Sequence, residues 1–491
     1  MKKMNLLVMS LVSAAALSFS SCSSNDDLAG GGTQSQADGV YMTLKISGTT
    51  SHGTRTGVET PNTTENGTPD ESTITQGMLY IYDGQTCVFR KVITSEMFET
   101  KPSQTAAGKT KPIKVAVTGA IKTNKEYKVY FLANNTTVTD PLADTFTSAT
   151  GGTDLATAQN FVMFNQNDKT NAAAHSTVKF TDDNKSSDNP APAGEIKLDR
   201  VVARIDNPLF AETAKTVDNA AAGTTKNVTS VVASFTYEGY AASNLNNNSY
   251  VKQNWDEKFE TLSVKWVEGA NKYYQSKDFF GTLYEGKNLT TTFSKNNTYA
   301  FENTTTNVDE ATAVYFQVKA NLTDAAKTTA DFNDGTFYRY DGRLYTSIQA
   351  IYDDAATGAI SNPFTETGNI TPEQVKAKIS DADGKLTTDE AKLAKFRQDY
   401  KIEVYRQGTM YYRWAISDNA YKPFIASETT HTYSVLRNSI YRLNVTKINE
   451  IGKDVPNGPE PDDPIKNPNF FMNVTVSINP WVLNTKDIEL K

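Results

Sequence analysis

The chain has 491 residues and a formal net charge of -7, with acidic and basic residues interspersed. This excludes the basic surface that nucleic acids and anionic membranes require of a partner. A hydrophobic content of 38% with 24 Tyr and 23 Phe is typical of half-buried strands joined by polar turns, so we expect an all-β protein of two or three domains.

The N-terminus has the layout of a secretory signal peptide. Lys2 and Lys3 precede a mainly apolar run over residues 6–17, which is too short to span a bilayer. Small residues then lead to Cys22, as in a lipobox, where the thiol is acylated and the cysteine becomes the new N-terminus. We predict a lipoprotein signal peptide at residues 1–21 and membrane contact only through the lipid. The alternative is an ordinary signal peptide that contains a cysteine.

A first strand follows a flexible tether. Apolar and polar residues alternate over residues 40–47, and the apolar positions are Val40, Met42, Leu44 and Ile46. The next polar stretch contains Arg55, the first arginine of the chain, followed by Thr56. We expect an exposed loop there that is open to proteases.

Short strands with turn signals between them predict two β-sandwich domains in tandem, at residues 56–198 and 199–454. Three helical patches at residues 345–352, 372–379 and 389–396 are expected to be an insertion without a core of its own. The predicted strands are at residues 78–82, 88–93, 113–117, 127–132 and 196–205 in the first domain, and at 228–237, 262–266, 313–320, 401–406, 410–416 and 440–448 in the second.

The end of the chain, residues 455–491, is predicted to be a spacer followed by strands. Five prolines between residues 455 and 469 favour an extended, semi-rigid segment. A second alternating strand follows, and after it Pro480 and Trp481 lead into a short final strand. The apolar positions of the alternating strand are Met472, Val474, Val476 and Ile478.

The two terminal strands offer similar apolar faces and fit the same groove. If cleavage after Arg55 removed the first strand, its sandwich would expose unpaired backbone groups and an apolar furrow. The C-terminal strand of another copy, held away from its own domain by the spacer, would be the donor. In the alternative interpretation both strands pair within one molecule and Arg55 is an ordinary loop residue. The pattern alone leaves both open.

Several segments resemble fimbrillins, the type V pilus subunits of Bacteroidales, in particular the shaft type of minor fimbriae. They are residues 435–452, which begin Val-Leu-Arg-Asn-Ser-Ile-Tyr, the proline spacer, residues 472–490 and, more weakly, residues 127–134 and 198–204. The resemblance implies two transthyretin-like sandwiches, lipoprotein export, cleavage by an Arg-specific protease and strand exchange. Arg55 and Thr56 fit the cleavage site, so residues 22–55 would be a lipidated propeptide that includes the removable strand.

The same resemblance implies a structural subunit of a surface fimbrium that supports adhesion and biofilm formation. Its partners would be copies of itself, anchor and tip subunits, the protease, and host or bacterial receptors. The precursor would sit at the outer membrane and the mature form in the fimbrium. The alternatives are a non-polymerising surface adhesin or carbohydrate-binding lipoprotein, and an anchor or tip subunit. Tyr411, Tyr412 and Trp414 could offer a sugar-stacking platform, although their strand setting favours packing.

No enzyme active site or cofactor is predicted. His52, His175 and His431 show no metal-ligand or triad spacing. Cys87 lies in a strand-like run, which is typical of a structural thiol.

One stretch partly matches a calcium-binding loop. Asp381, Asp383, Gly384 and Glu390 fall at later positions of an EF-hand loop, but the first ligand position holds Ile379. Calcium binding and an ordinary Asp-Gly connector between helices both stay open.

Overall fold

The structure is a computed structural model. It describes residues 39–48, 65–100, 115–119, 121–166, 175–217, 225–253, 272–274, 293–305, 308, 310–365, 370–416, 433–455, 472–482 and 488–490. Strands dominate these residues, and the predicted all-β fold is confirmed. No helix in these ranges is long and apolar enough to cross a membrane.

The first half of the described chain contains a short helix, α1 (Pro69–Ser72), among its strands. In chain order the strands are β1 (Val40–Thr43), β2 (Lys45–Gly48), β3 (Glu65–Asn66), β4 (Gly77–Asp83), β5 (Thr86–Ile93), β6 (Phe98–Thr100), β7 (Val115–Val117), β8 (Lys125–Ala133), β9 (Thr145–Thr147), β10 (Met163–Asn165), β11 (Ser176–Phe180), β12 (Ala191–Pro192), β13 (Ile196–Arg200), β14 (Ala203–Ile205) and β15 (Leu209–Phe210).

The second half carries five further helices. They are α2 (Val228–Val231), α3 (Asp324–Thr328), α4 (Ile348–Ala356), α5 (Pro372–Ala377) and α6 (Glu390–Tyr400). The strands are β16 (Val232–Ser243), β17 (Leu245–Asn246), β18 (Asn248–Tyr250), β19 (Lys272–Tyr274), β20 (Thr298–Ala300), β21 (Asn303–Thr305), β22 (Ala313–Leu322), β23 (Phe337–Tyr340), β24 (Arg343–Tyr345), β25 (Glu403–Tyr405), β26 (Thr409–Ala415), β27 (Tyr433–Val435), β28 (Ser439–Ile448), β29 (Met472–Val482) and β30 (Ile488–Leu490).

The first hydrophobic core lies mainly between residues 40 and 202. Its large sheet has the strand order β5-β4-β8-β10-β13-β2-β30-β6, with β11 also on β8, and a small sheet β12-β1-β7 shares the core. The predicted strand at 196–205 is two strands, because the chain bends at the fully buried Val201 and Val202. At this bend it passes from the first core into the second.

The second core runs from Ala203 to Met472. One sheet has the order β16-β22-β26, and the other has the order β20-β14-β28-β29-β3 with β15 on β28. In β22, residues Ala313–Phe316 are all buried because both faces of the sheet are covered there, with Val314 and Phe316 in the second core and Tyr315 packed against Ala241 on the other face.

The helical insertion has a hydrophobic core of its own, the third core, which the sequence analysis did not expect. Buried side chains between residues 332 and 404 form their own cluster around α4, α5 and α6. The sheet β24-β23-β25 separates it from the second core, because successive strand residues point to opposite faces. Phe337 and Tyr405 pack into the second core, whereas Tyr338 and Val404 pack into the third. The prediction that the insertion has no core was therefore wrong, while its three helices are confirmed.

The insertion joins the second sandwich at two neighbouring strands. The chain leaves after β22 and returns into β26, and these strands pair antiparallel, with Lys319 opposite Thr409. Gly408 stands at the return with φ of +79°, and a Cβ there would lie 2.2 Å from the carbonyl oxygen of Ala320. Only glycine permits this close approach.

We expect Gly408→Ala to be far more destabilising than Gly384→Ala. Both glycines have left-handed φ, +79° and +76°, but a Cβ on Gly384 meets nothing within 4 Å. Gly384→Ala should therefore lower the free energy of unfolding by about 1–2 kcal/mol through backbone strain alone. Gly408→Ala should lower it by at least ~3 kcal/mol, since a carbonyl must also move. Urea unfolding of the full chain measures both, and equal losses would contradict the close approach.

Candidate assembly site

The first strand is paired on both of its sides. Met42 in β1 lies opposite Val115 of β7 and opposite Ala191 of β12. The chain then continues as β2, where Ile46 lies opposite Ile196 of β13 and β30 pairs on the other side. Removing residues 40–48 would thus leave backbone donors and acceptors without partners on both flanking strands.

The predicted apolar face of this strand points into the first core. Val40, Met42, Leu44 and Ile46 are each at most 5% exposed, whereas Tyr41 is half-buried. Full burial of each such side chain is worth about 1.5–3 kcal/mol. The strand is therefore an integral part of the core, and whatever replaced it would need a comparable apolar face.

The C-terminal strand is paired within the same chain. Strand β29 runs antiparallel to β28, with Met472 opposite Ile448 and Val476 opposite Leu443, and Trp481 pairs with Glu65 of β3. This differs from the expectation that the spacer holds the strand away from its own domain. An unpaired β29 would leave a row of backbone N–H and C=O groups without hydrogen-bond partners. Pairing with β28 supplies those partners.

The side chains of residues 473–482 lie outside the described part of the chain, as do residues 456–471 of the spacer. The face presented by Val474, Val476, Ile478 and Trp481 therefore stays a prediction. Cys22, Arg55 and Thr56 also lie outside the described residues.

The two sandwiches meet where segments 198–204 and 435–441 lie side by side. The backbone N–H of Asn438 donates to the carbonyl oxygen of Val202 at 2.8 Å. Its side-chain Nδ2 donates to Asp199 Oδ1 at 2.7 Å, and its Oδ1 accepts the backbone N–H of Arg200 at 3.3 Å. Asn438 has φ of +56°, a conformation that asparagine tolerates better than most residues.

Arg200 is fully buried at this junction. Its Nε donates to the carbonyl oxygen of Glu71 at 2.8 Å, its Nη2 to Ser72 Oγ at 3.1 Å, and its Nη1 to Asn438 Oδ1 at 3.3 Å. Burial lowers the pKa of its guanidinium to about 9, and the nearby Glu71 and Asp199 carboxylates oppose that shift. The group therefore stays charged at neutral pH.

Arg204, on the next strand β14, extends this network of buried contacts. Its Nη1 lies 2.7 Å from Glu71 Oε1 and its Nε lies 2.6 Å from Asp206 Oδ1, with both ends of the first ion pair less than a tenth exposed. Burial alone would lower the pKa of Arg204, but the contacts with Asp206 and Glu71 outweigh it and raise the pKa. For Glu71 the directions are reversed. Burial alone would raise the pKa of its carboxyl group, but the hydrogen bond from the N–H of Thr68 and the charge of Arg204 outweigh it and lower the pKa.

A third buried arginine lies on the other segment of the junction. Arg437 Nε lies 2.8 Å from Glu302 Oε2, and its two Nη groups donate to the carbonyl oxygen of Val251 at 2.8 Å and to Ser249 Oγ at 3.1 Å. Val251 packs in the first core, and β18 pairs with β9 of the first sandwich. The junction is thus held by ion pairs, hydrogen bonds and strand pairing together.

Sequence reasoning missed these arginines as buried residues. The available signal was a pair of charged residues inside an apolar run, as at residues 198–204, where Leu198 and Val201 stand on either side of Asp199 and Arg200. A charge in such a place is stable only when it is paired.

The calcium interpretation is not supported by the contacts of the loop. Asp381 Oδ1 accepts the backbone N–H groups of Asp383 and Lys385, each at 2.9 Å, and Glu390 forms an ion pair with Arg406. These oxygens shape the turn and the start of α6. Among the described residues, no three His, Cys, Asp or Glu side chains are placed to hold a metal ion.

The other candidate residues are part of the packing. Tyr411 and Tyr412 are 8% and 3% exposed, and Trp414 packs against the second core, so they form no exposed sugar platform. His175 is half-buried, with its ring 5.8 Å from that of Tyr130, and burial lowers its pKa.

Cys87 is half-buried, with Sγ 3.5 Å from the carbonyl oxygen of Phe89. His52 and His431 lie outside the described residues.

We expect Met42→Ala to lower the free energy of unfolding by about 2–5 kcal/mol, because it leaves a cavity in the first core. Thr43→Ala, on the half-buried face of the same strand, should cost less than about 1 kcal/mol. Denaturant unfolding of the full chain measures both. Similar losses for the two variants would show that the strand does not bury the predicted face.

The C-terminal part of the chain matches a known protein family. Residues 403–487 match the family described as major fimbrial subunit protein type IV, fimbrillin, C-terminal. This stretch includes β25 to β29 and the Arg437–Asn438 part of the junction. No curated protein matches the chain.

Solved structures of low identity align along most of the chain. A fimbrilin from Porphyromonas gingivalis W83 has 14% identity and a TM-score of 0.40, covering 92% of this chain and 99% of its own. The tip fimbrial protein Mfa3 from Porphyromonas gingivalis has 12% identity and a TM-score of 0.31, covering 90% and 100%. A fimbrial assembly protein from Parabacteroides distasonis ATCC 8503 has 14% identity and a TM-score of 0.28, covering 58% and 82%. The match of residues 403–487 to this family confirms the resemblance to fimbrillins for that part of the chain.

Proposed function

We propose that the chain is a structural subunit of a cell-surface fimbrium, a type V pilus. The observation that carries this proposal is the first strand. It is buried on one face and paired on both edges, it precedes a segment with the first arginine of the chain, and residues 403–487 of the same chain match the fimbrillin C-terminal family. The role is structural, with neither a catalytic residue nor a cofactor.

Export as a lipoprotein is the first step of the proposed pathway. Acylated Cys22 would hold the precursor at the outer membrane without a spanning helix. An Arg-specific protease would then cut between Arg55 and Thr56, and the mature subunit would join the fimbrium.

Strand exchange is the second step. Loss of residues 40–48 would open a slot bordered by β7, β12 and β13, which offers both backbone partners and an apolar floor. The C-terminal strand of another copy, with the alternation Met472, Val474, Val476 and Ile478, would fill it. In the precursor, pairing of β29 with β28 keeps this donor strand satisfied until exchange.

The partners of such a subunit are further copies of itself, anchor and tip subunits, the protease, and receptors on host or bacterial surfaces. Contact with these receptors would support adhesion and biofilm formation.

A second candidate function is a surface adhesin that never polymerises. The pairing of β28 with β29 over residues 472–480 of one chain favours it, since both terminal strands are then satisfied internally. The first residue of the surface form separates the two functions. Thr56 indicates a processed pilus subunit, whereas acylated Cys22 indicates an anchored binder or a basal anchor subunit.

We expect Arg55→Ala to block maturation and leave lipid-anchored monomer on the cell. Arg55→Lys should do the same, because the protease requires arginine, whereas Thr56→Ala keeps the arginine and should be processed. Mass spectrometry of sheared surface filaments gives the N-terminal residue. Filaments that begin at residue 56 in the Arg55→Ala variant would contradict the assigned cleavage site.

Paired cysteines distinguish exchange from internal pairing. One variant carries Val117→Cys in the slot and Val476→Cys, and its matched control carries Leu443→Cys and Val476→Cys, both with Cys87→Ser to remove the native thiol. Val117 lies opposite Val40, and Leu443 lies opposite Val476. We expect the control to form an internal crosslink before cleavage.

The slot variant should give crosslinked ladders only after cleavage, because the uncleaved strand occupies the site. Ladders of equal yield without cleavage, or a slot variant that never forms them while the control stays internally linked, would favour the monomeric adhesin. Denaturing gels without reductant show the outcome.

A further inference from the structure

The segment that follows the predicted cleavage loop is held at the junction of the two sandwiches. Helix α1 begins two residues after Gly67, and Thr68 and Glu71 form a reciprocal cap, with Glu71 Oε2 accepting the backbone N–H of Thr68 at 2.8 Å. Glu71 is 5% exposed despite its charge. The turn thus points a buried carboxylate inward, while Thr68, Pro69 and Asp70 are exposed.

Both oxygens of the Glu71 carboxylate are occupied. Oε1 lies 2.7 Å from Arg204 Nη1 and also accepts the hydroxyl of Tyr299 at 3.3 Å, while Oε2 accepts the N–H of Thr68. Arg200 holds the backbone of the same turn through the carbonyl oxygen of Glu71. Because Arg200 lies on β13 of the first sandwich, whereas Arg204 on β14 and Tyr299 on β20 belong to the second, the turn is attached to both sandwiches.

Gly67 marks where this attachment begins. It is buried, and a Cβ at this position would lie 2.1 Å from Arg200 Nη2. The backbone therefore passes directly against the guanidinium, which is itself fixed by Glu71, Ser72 and Asn438.

We propose that Glu71, Arg200 and Arg204 form a clamp on residues 67–72, so that cleavage after Arg55 frees the first strand while residues 67–72 stay attached to both sandwiches. The inference rests on the proposed maturation. The retained chain is then fixed from Gly67 onward.

The two residues just before the clamp pair with the C-terminal strand. Residues Glu65 and Asn66 pair in parallel with Trp481 and Val482 of β29. The two chain ends that strand exchange would use are therefore adjacent at the clamp, and the three clamp residues are positioning residues for the retained N-terminus.

Hydrogen exchange on the purified full chain tests the clamp, before and after cutting with an Arg-specific protease. The reporter is the peptide over residues 67–76, where the N–H of Glu71 donates to the carbonyl oxygen of Thr68. We expect residues 40–48 to dissociate after cleavage while 67–76 keep their protection. Exchange of 67–76 at the rate of an unprotected loop after cleavage would overturn the proposal.

Glu71→Gln separates the clamp from general stability. The amide nitrogen must face Arg204 or the N–H of Thr68, a donor against a donor, so exchange of 67–76 should accelerate about a hundredfold or more. Glu302→Gln is the matched control, a buried carboxylate paired with Arg437 at the same junction. It should accelerate exchange at residues 248–253 and leave 67–76 unchanged. Equal acceleration at 67–76 in both variants would mean that protection of this peptide reports only the overall stability of the junction, and it would overturn the proposal.

Gly67→Ala keeps every charge and serves if Glu71→Gln does not fold. It should also accelerate exchange at 67–76, and unchanged protection would contradict the close approach to Arg200. Filament formation is not needed for any of these measurements. A chain that keeps the clamp and never assembles refutes the proposed function alone, and one that assembles after losing protection at 67–76 refutes the clamp alone.

Discussion

The buried arginine junction is the constraint on which the arrangement of this molecule depends. Three guanidinium groups, those of Arg200, Arg204 and Arg437, lie where the two sandwiches meet, and each is at most 6% exposed. Removing such charges from water costs several kcal/mol each, so they persist only when their partners are held in place. The carboxylate of Glu71 comes from more than a hundred residues away, so its pair with Arg204 can form only when the segments around residues 71 and 204 are correctly placed.

Segments 198–204 and 435–441 meet this requirement together. Each contributes buried polar groups to the other, through Asn438 on one side and Asp199 and Arg200 on the other. A polar residue at such a position is fixed by its geometry, whereas an apolar core position accepts several side chains of similar volume. The junction is therefore expected to be less tolerant of substitution than the apolar cores on either side of it.

Local elements were predictable because their causes are local. The alternation over residues 40–47 and the Thr371–Pro372 start of α5 needed no knowledge of distant residues. The third core depends on pairing β23 with β25, which are separated by more than sixty residues, and on which faces of that sheet receive Phe337 and Tyr338. The sequence pattern of β29 does not identify the strand with which it pairs. The same apolar alternation fits β28 of its own chain and the slot in another copy of the chain. The burial of Glu71 was equally hidden, because its partners are Arg200 and Arg204.

The first strand and the clamp together give the proposed maturation a physical order. Strand β1–β2 contributes four buried side chains and is bordered by strands on both edges, and while the chain connects it to Gly67 its rebinding stays intramolecular and therefore favoured. Cutting the connection removes that tether without loosening the junction, because the clamp residues lie beyond the cut. The slot can then open in a body that stays rigid, and a rigid slot binds an incoming strand without an additional cost for ordering its walls. Exchange thus depends on the junction holding both sandwiches in place while a single strand is replaced.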